Sequence, residues 1–395
     1  MEQFLKANLI PRNNWDYGVG DLIKALLSCC KGIDETPRIS EFFQSSPLLT
    51  TSGRSALYAL LKSFDLPAGS RIGVPLFCCP VVFNAIWQTG HVPLFIDSNF
   101  HDFNLSPIDL RKKRSDIVAL IAVHMFGNPC DMDSINSIAK GIPVIEDCAQ
   151  SLYSSYKGRQ TGFLASASFF SFRCGKYISS GEGSIVFCKE TSLCEKVGKE
   201  IAAFKSWPLP SALRDYILTF IKATFYKRPL FGIMGYSFGK KLDKYLNLTA
   251  KDGFKTKRIA PGYLSLLEHR VPTYKKYIDL QILNARLLKS LITLRNVILP
   301  AENSECSSNW FQFALRFPSS AQRDAMVSHL WKHGIDSAPY LDTVVEEARE
   351  VYGYIPGTCP NAEQLTKTTL LIPIHYTLKE QEICSIANSI NLFTE

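Results

Sequence analysis

Two ionisable residues in one stretch of the chain have the types and spacing needed for covalent chemistry. Asp147 ends the acidic pair that follows the apolar run from Ile142 to Ile145. Such a run predicts a buried parallel strand, and a carboxylate after it faces the ligand crevice of an open α/β sheet. Lys176 comes twenty-nine residues later, in a loop rich in glycine and serine that follows a second β-rich run over residues 166–172. A lysine in such a loop has room to carry a covalent adduct.

The chemistry that uses these two groups together is that of pyridoxal phosphate (PLP). A lysine amine forms a Schiff base with the cofactor aldehyde, and a carboxylate keeps the pyridine nitrogen protonated so that the ring withdraws electrons. Lys176 and Asp147 suit these two roles. Burial beside a cationic ring favours a neutral lysine, which is the form that attacks an aldehyde or takes up a proton. Taken singly, each residue has a simpler interpretation, Asp147 as a helix cap and Lys176 as a solvated loop lysine.

An anion site is predicted where a turn enters a helix within residues 50–64. Ser52 and Gly53 make the turn, and apolar residues follow at helical spacing, namely Ala56, Leu57, Leu60 and Leu61. Exposed backbone N–H groups and the positive end of the helix dipole favour an anion there, and Arg54 and Ser55 are further donors. A phosphate fits this position. A plain Ser-Gly cap on a surface helix is the alternative interpretation.

Short apolar runs alternate with helical stretches over residues 71–126. Strands interleaved with helices predict a parallel sheet with crossover connections, and the loops after such strands gather at one edge. We therefore expect four loop positions to lie near one crevice: residues 77–80, Asp97, His124 and Asp147. His124 is a candidate base, although a core histidine is the more common outcome for such a residue.

The composition is that of an ordinary globular protein. The chain has 395 residues, 46% of them hydrophobic, and exceeds the size of most single domains, so we expect a large domain and a smaller one. No charged leader with an apolar core is present, and no apolar run approaches about eighteen residues, which predicts a cytoplasmic chain that does not span a membrane. The twelve cysteines show no ligand spacing, so we predict free thiols and no metal site.

Seven motifs follow one another in a fixed order: SGRSAL, VPLFCCPVVFNAI, VPLFID, VHMFGNPCDMDSI, PVIEDCAQS, YKGRQTG and FFSFRCGKYISSGEGS. Together they resemble the nucleotide-sugar aminotransferases of the DegT/StrS family, PLP enzymes of the aspartate-aminotransferase fold (fold type I). The resemblance implies an α/β fold, with a three-layer, mostly parallel sheet in a large domain at residues 1–272. It also implies a smaller C-terminal α+β domain at residues 273–395, in which a connecting helix over 273–294 precedes alternating strands and helices.

Carried over residue by residue, the resemblance implies a set of residues around the cofactor. Gln150 would lie by the ring and its phenolic oxygen, and the hydroxyl of Ser171 would bind the phosphate. The complete set is Lys176, Asp147, Gln150, Ser171 and the backbone of Gly53, Arg54 and Ser55.

Two departures from the family pattern concern contacts to the cofactor. Where the family places an aromatic residue against the ring, this chain has Cys79 or Pro80, so we expect the ring contact on Phe77 or Phe83 instead. The family asparagine that reaches the phosphate from a neighbouring subunit falls near Thr256. That contact between subunits is therefore not expected here.

The resemblance implies a PLP-dependent transaminase in surface-glycan or amino-sugar biosynthesis. It would move an amino group from an amino acid, L-glutamate by analogy with the family, to a keto carbon of a nucleotide-linked sugar, in a homodimer with shared active sites. One alternative is a sugar dehydratase of the same fold, which has a histidine where this chain has Lys176. The other is a non-catalytic binding or regulatory descendant, against which the retained cofactor residues argue.

The segment that least resembles the family, residues 205–256, is strongly basic. From Lys205 to Arg258 there are twelve Lys or Arg and three Asp, whereas the whole chain has a net charge of only +8. Residues 211–244 combine basic and aromatic residues with helical apolar spacing, as helices at anionic membrane surfaces do. A helical hairpin packed on the large domain or across a dimer is the favoured alternative, and no motif supports nucleic-acid binding. The predicted apolar face is Leu213, Tyr216, Ile217, Phe220, Ile221, Thr224 and Phe225.

Overall fold

The computed structural model describes residues 6–31, 35–176, 178–236, 254, 256–303 and 305–394. The strands of its first half are β1 (Leu48–Thr50), β2 (Arg71–Pro75), β3 (Val92–Ile96), β4 (Ala119–Val123), β5 (Val144–Asp147), β6 (Ser155–Tyr156), β7 (Arg159–Gln160), β8 (Ala167–Ser171) and β9 (Ser184–Cys188). Seven of them form one sheet in the order β1-β9-β8-β5-β4-β2-β3. Neighbours are parallel from β8 to β3, and β9 is antiparallel to both β8 and β1.

Helices pack on both faces of this sheet. In the central strand β4, Ile121 contributes to a core with Leu60 and Phe83, whereas its neighbour Leu120 contributes to a separate core with Ile135. Successive strand residues point to opposite faces, so a strand covered on both sides is apolar throughout. The predicted α/β class with a large, mostly parallel sheet is thus confirmed. The helices of this half are α1 (Val19–Lys31), α2 (Pro37–Phe43), α3 (Gly53–Ser63), α4 (Pro80–Gln88), α5 (Pro107–Lys113), α6 (Met132–Ile138) and α7 (Thr191–Ala202), with 3₁₀ turns at Arg114–Asp116 and Met125–Gly127.

The strand that carries the acidic pair lies two residues further along the chain than its apolar run predicts. Glu146 and Asp147 are the last two residues of β5, and both pair in register with β4 and β8. The predicted strand end at Ile145 was therefore wrong. Both carboxylates are buried and accept hydrogen bonds from backbone N–H groups, which offsets the cost of placing a charge inside a sheet.

A second sheet lies in the C-terminal part of the chain, where β11 (Phe313–Arg316) and β12 (Ala338–Pro339) pair antiparallel with β13 (Thr369–Ile372). β10 (Cys306–Ser307) instead pairs with β6. A separate apolar core, which includes Leu288, Phe313 and Ile386, stabilises this part. The division into domains at residues 272 and 273 stays a prediction. The remaining helices are α8 (Leu209–Phe225), α9 (Pro261–Thr273), α10 (Lys275–Leu291), α11 (Ser320–Lys332), α12 (Val344–Tyr352), α13 (Pro360–Thr368) and α14 (Glu380–Asn391), with a short π-helical segment at Phe231–Gly235.

Helices α1, α8 and α9 share a small apolar core of their own, which includes Ala25, Tyr216 and Tyr263. The buried face of α8 consists of Ala212, Tyr216, Thr219 and Ala223. The predicted apolar face was therefore right at Tyr216 and in part at Leu213 and Phe220, which pack against the same core, but wrong at Ile217 and Ile221, which are exposed. Part of the predicted membrane contact, residues 237–244, lies outside the described residues. Within the described part of the chain, no helix combines the length and apolar character needed to cross a membrane.

Candidate active site

Lys176 lies in the loop that joins the antiparallel strands β8 and β9. A backbone hydrogen bond from Phe172 N to Gly183 O (2.9 Å) closes the base of this loop, and Lys176 N donates to Arg173 O (3.0 Å) within it. The Lys176 amine lies 5.2 Å from the centre of the Phe311 ring. The loop therefore holds the lysine against the protein rather than out in solvent.

Asp147 ends β5 in the middle of the seven-stranded sheet and is buried. Its Oδ1 accepts a hydrogen bond from the N–H of Ala149 (2.9 Å). Burial raises the pKa of Asp147, while this hydrogen bond and the positive charge of Lys176 act in the opposite direction. The carboxylate therefore depends on nearby positive charge to remain ionised.

Lys176 and Asp147 lie within electrostatic range of each other. Burial lowers the pKa of Lys176, and the Asp147 carboxylate partly restores it. A lysine with a lowered pKa has a larger neutral fraction, and the neutral amine is the nucleophile and base. The structure thus brings together the two residues whose types suggested PLP chemistry.

Glu146 stabilises a loop and does not take part in the site. Its carboxylate accepts four hydrogen bonds of 2.7 to 3.1 Å, from His124 Nε2 and from the backbone N–H groups of Gly162, Leu164 and Ala165. The other ring nitrogen of His124, Nδ1, accepts from Cys130 N (3.0 Å). Because both ring nitrogens are occupied, His124 is a core histidine, and the structure gives it no free lone pair with which to act as a base.

Gln150 is held in a fixed orientation at the same edge of the sheet. Its Oε1 accepts from Phe126 N (3.0 Å), and its Nε2 lies 3.5 Å from the hydroxyl of Tyr340. Tyr340 comes from the C-terminal part of the chain, and burial raises the pKa of its hydroxyl. A neutral phenol and an amide N–H therefore lie side by side, and both can donate to an oxygen atom of a ligand.

Ser171, the last residue of β8, lies against the turn that begins α3. A Cβ added to Gly53 would be 3.4 Å from the Cβ of Ser171, so the turn and the strand end are in close contact. Ser52 caps the helix, with its Oγ accepting from Ser55 N (3.3 Å). The first N–H groups of a helix have no partner within it. The amides of Gly53 and Arg54 and the hydroxyl of Ser171 therefore form a donor set suited to an anion.

Ala149, Gln150 and Ser171 line one small cavity, so the turn after β5 lies next to the end of β8. The anion donors lie at the end of β8 and the start of α3, and the carboxylate of Asp147 lies at the end of the neighbouring strand β5. PLP carries a phosphate on one side of its ring and a pyridine nitrogen on another. The donor set present in this chain fits that group.

Positive charge is concentrated beside the anion-binding turn. The guanidinium of Arg54 lies 5.4 Å from the ring of Phe254. Burial lowers the pKa of Arg54, as does the nearby Arg173, whereas Glu182 raises it. Arg173 Nε is 3.7 Å from a carboxylate oxygen of Glu182, whose side chain is 29% exposed. Burial raises the pKa of Glu182 to about 7, so this acid only partly balances the two arginines.

The aromatic contact of the cofactor ring, expected on Phe77 or Phe83, stays a prediction. Both side chains are fully buried, and Phe83 packs on Phe95 with ring centres 4.9 Å apart. Phe77 packs on Tyr340 with ring centres 5.8 Å apart. Cys79 is exposed, and Tyr340 is the aromatic residue that lies beside Gln150.

Three residues of the site were missed from the sequence because each lies more than a hundred positions from Lys176. They are Asn309, Phe311 and Tyr340. Asn309 Nδ2 donates to the backbone oxygens of Gln150 (2.9 Å) and Leu152 (2.8 Å) and so fixes the turn after β5. No spacing in the sequence connected these three residues with the lysine.

Asp97 does not join the site, contrary to expectation. Its carboxylate accepts hydrogen bonds from the N–H groups of Asn361 (3.2 Å) and Ala362 (2.8 Å) in the first turn of α13. An acid at a helix N-terminus is stabilised by the helix dipole. Asp97 therefore ties the C-terminal part of the chain to the edge of the large sheet.

A model of the DegT/DnrJ/EryC1/StrS aminotransferase family matches residues 40–204 and 272–391. The matched residues include the complete site around Lys176 and Asp147. The chain belongs to this family. It is therefore an enzyme of the PLP-dependent aminotransferase class, as the motifs predicted.

Curated relatives within the DegT/DnrJ/EryC1/StrS family are similar over most of the chain. A GDP-perosamine synthase of Escherichia coli O157:H7 is 26% identical over 346 residues, which cover 87% of this chain and 84% of that protein. A dTDP-3-amino-3,4,6-trideoxy-alpha-D-glucose transaminase of Streptomyces venezuelae is 24% identical over 350 residues, 87% of this chain and 82% of that protein.

The fold is that of solved aminotransferases of the family. The PLP form of the putative sugar aminotransferase Spr1654 from Streptococcus pneumoniae superimposes with a TM-score of 0.76 at 18% identity, covering 97% of this chain and 98% of that one. The family match leaves out residues 1–39 and 205–271. Helices α1 and α8, which pack on each other, therefore lie outside the matched residues.

Proposed function

We propose that this enzyme transfers an amino group from an amino acid, L-glutamate, to a keto carbon of a nucleotide-linked sugar. The observation that carries the proposal is that the Lys176 amine and the buried Asp147 carboxylate are near enough to shift each other's pKa, with an anion-binding turn beside the neighbouring strand. Family membership supports the reaction class. The names of the relatives, a GDP-perosamine synthase and a dTDP-amino sugar transaminase, support the substrate class.

Each residue of the site has a task in holding PLP. Lys176 would bind the cofactor covalently through Nζ, and Asp147 would accept a hydrogen bond from the pyridine nitrogen. Gln150 would donate to the phenolic oxygen. The phosphate would be bound by the hydroxyl of Ser171 and by the turn Gly53-Arg54-Ser55. When bound, PLP supplies a ring that withdraws electrons from the carbon that carries the amino group.

The lysine also moves a proton. The Lys176 amine would take the proton from the α-carbon of the donor amino acid in the first half of the reaction and would deliver a proton, in the second half, to the sugar carbon that receives nitrogen. Its lowered pKa favours this role, because an amine must be neutral to accept a proton. Asp147 stays ionised while a positive charge faces it, so the carboxylate assists electron withdrawal.

Arg54 and Arg173 supply positive charge for the anionic parts of the ligands. Arg54 is half-buried beside the phosphate-binding turn, and Arg173 is exposed three residues before Lys176. The diphosphate of a nucleotide sugar needs such neutralisation, and a guanidinium binds phosphate oxygens with two parallel hydrogen bonds. In the proposal, Arg54 serves the cofactor phosphate and Arg173 the nucleotide.

The proposal also includes an assembly and a location. We propose a homodimer with shared active sites that works in the cytoplasm and makes a peripheral contact with the membrane. Amino sugars for surface glycans are assembled on lipid carriers at membranes, so a nearby enzyme would supply them directly. Family membership supports the dimer, and the basic segment from Lys205 to Arg258 supports the membrane contact.

Lys176 argues against the sugar dehydratase alternative, which has a histidine at the position of the lysine. A non-catalytic descendant has no need for a lysine amine with a lowered pKa. The proposal and its two alternatives predict different absorbance spectra. Lysine-bound PLP is yellow and absorbs at roughly 410 to 430 nm.

The purified protein, incubated with PLP, is expected to show this band and to lose it when L-glutamate is added. A set of keto-sugar nucleotides would then be screened for restoration of the band and for an amino-sugar product by mass spectrometry. A band that persists with every amino acid tested would contradict a transaminase. Bleaching by glutamate without any sugar-dependent recovery would contradict the proposed acceptor alone.

A further inference from the structure

Helix α1 exposes a stripe of large aliphatic side chains. Val19, Ile23 and Leu27 follow one another at intervals of four residues and are 60%, 51% and 61% exposed. Residues four apart lie on one face of a helix. The opposite face of α1 is buried in the core it shares with α8 and α9. Helix α1 is therefore apolar on both faces.

Helix α8 has the same property. Its buried face packs on α1 and α9, whereas Ile217, Leu218 and Ile221 are 45%, 42% and 42% exposed. Half-buried Leu213 and Phe220 lie between the two faces and pack against the shared core. Single exposed aliphatic residues are common, but two adjacent helices that each expose three of them form an apolar surface that needs an explanation.

The charges on these two helices are distributed unequally. Asp21 of α1 turns inward and pairs with Arg270 at 2.7 Å, and Asp215 of α8 accepts a hydrogen bond from the hydroxyl of Tyr263. Arg214 and Lys222 of α8 are exposed. The acidic residues are thus engaged inside the protein, while basic residues lie at the surface beside the apolar side chains.

We infer that the exposed face formed by Val19, Ile23 and Leu27 of α1 and Ile217, Leu218 and Ile221 of α8 docks on an anionic lipid surface. Apolar side chains would enter the boundary between headgroups and acyl chains, and basic residues would pair with lipid phosphates. The inference rests on the membrane contact in the proposed function and names the surface that makes it. Docking through this face does not depend on the proposed amino transfer.

A second copy of this chain is a poorer occupant of the same surface. A two-fold contact through this face would bring the exposed cations Arg214 and Lys222 of both copies into one interface. From Lys205 to Arg258 the chain has twelve basic and three acidic residues, and like charges brought together in an interface destabilise it. An anionic bilayer has the complementary charge.

The docking surface lies on helices that support the active-site loop. Thr219 and Tyr263 pack around Gly181, where an added Cβ would be 2.4 Å from the Tyr263 ring and 3.2 Å from Thr219 Cγ2. Gly181 is five residues from Lys176. An enzyme docked through α1 and α8 would therefore hold its active-site loop near the membrane.

The test is co-sedimentation of the PLP-loaded protein with vesicles of phosphatidylcholine, alone or mixed with phosphatidylglycerol. The surface variant is Ile23→Asp with Ile217→Asp. The matched control is Ile108→Asp with Ile355→Asp, which changes net charge equally at residues 73% and 68% exposed elsewhere. The wild type and the control are expected to pellet with anionic vesicles in a salt-sensitive manner. The surface variant is expected to bind at least about tenfold more weakly.

A third variant, Arg214→Gln, removes one surface cation without touching the apolar residues and is expected to weaken binding severalfold. Wild-type protein that stays in the supernatant, or a surface variant that pellets like the control, would overturn the inference. So would a surface variant that sediments as a smaller species than the control, since the face would then join two copies. Transaminase activity, measured without lipid, stays at the wild-type level in every variant, which separates failure of this inference from failure of the proposed reaction.

Discussion

Ser171 lies directly against Gly53: a Cβ placed on Gly53 would lie 3.4 Å from the Cβ of Ser171. The contact joins the end of β8 to the first turn of α3, two elements that are far apart in the sequence. It places a hydroxyl beside free helix N–H groups, which is the arrangement that a phosphate requires.

Ser171→Ala should weaken PLP binding while leaving the fold intact. A hydrogen bond to a charged group contributes about 1.5 to 3 kcal/mol, so the dissociation constant of PLP is expected to rise by about tenfold or more. Titration followed by absorbance measures this constant. Ser63→Ala, at the other end of α3, should leave it unchanged, and equal effects of both variants would argue against a phosphate contact at Ser171.

Asp147→Asn should reduce turnover far more than it reduces stability. The amide keeps an oxygen to accept from Ala149 N, but it carries no charge to hold the pyridine nitrogen protonated. Loss of one such electrostatic partner costs about a hundredfold or more in kcat. Steady-state kinetics and thermal unfolding, measured side by side, check this. Unchanged kcat would remove Asp147 from its proposed role.

Gly181→Ala should destabilise the protein by about 2 kcal/mol or more. The position has φ 103°, and the new Cβ would overlap the ring of Tyr263 at 2.4 Å, so backbone strain and overpacking add. Gly175→Ala is the matched control. It also has a positive φ, of 87°, but its Cβ would meet only Trp15 Nε1 at 3.7 Å. Urea unfolding should therefore rank Gly175→Ala as clearly milder, and the reverse order would be incompatible with the packing around Gly181.

His375 should make stability depend on pH in the acid range. Burial lowers the pKa of His375 to about 4, and its Nε2–H donates to Pro11 O at 3.2 Å. In the unfolded chain the imidazole has its usual pKa of about 6.5. The unfolded state therefore binds more protons between these values, and the stabilisation, complete above about pH 6.5, is lost as the pH falls to about 4.

His375→Gln is expected to flatten this part of the stability profile, as measured by urea unfolding at several pH values. His101→Gln, at an exposed position, should keep the wild-type slope. A His375→Gln profile as steep as that of the wild type would show that other groups cause the acid sensitivity.

The sequence predicted the large sheet well because its strands are buried on both faces. Runs such as Ala119–Val123 are apolar throughout and alternate with helices, and few other arrangements can bury them. The exact end of β5 was missed because Glu146 looks like a loop residue when its partners are unknown. Those partners, the N–H groups of Gly162, Leu164 and Ala165, become apparent only after the chain has folded.

The site was predicted in part for the same reason. Lys176 and Asp147 follow strands whose positions were predictable, whereas Tyr340 and Asn309 reach the site through packing of the C-terminal part of the chain. No local sequence pattern predicts such long-range contacts. Periodicity also located the core face of α8 only in part, because Ala212 and Ala223 are buried whereas the larger Ile217 and Ile221 remain exposed.

Covalent binding of PLP by Lys176 is tested most directly by locating the cofactor on the chain. The PLP-loaded protein would be reduced with borohydride, digested and analysed by tandem mass spectrometry, alongside Lys176→Ala. We expect a phosphopyridoxyl group on Lys176 of the wild type and no stable label in the variant. A label on another lysine, or an equal label in Lys176→Ala, would contradict covalent binding of PLP by Lys176.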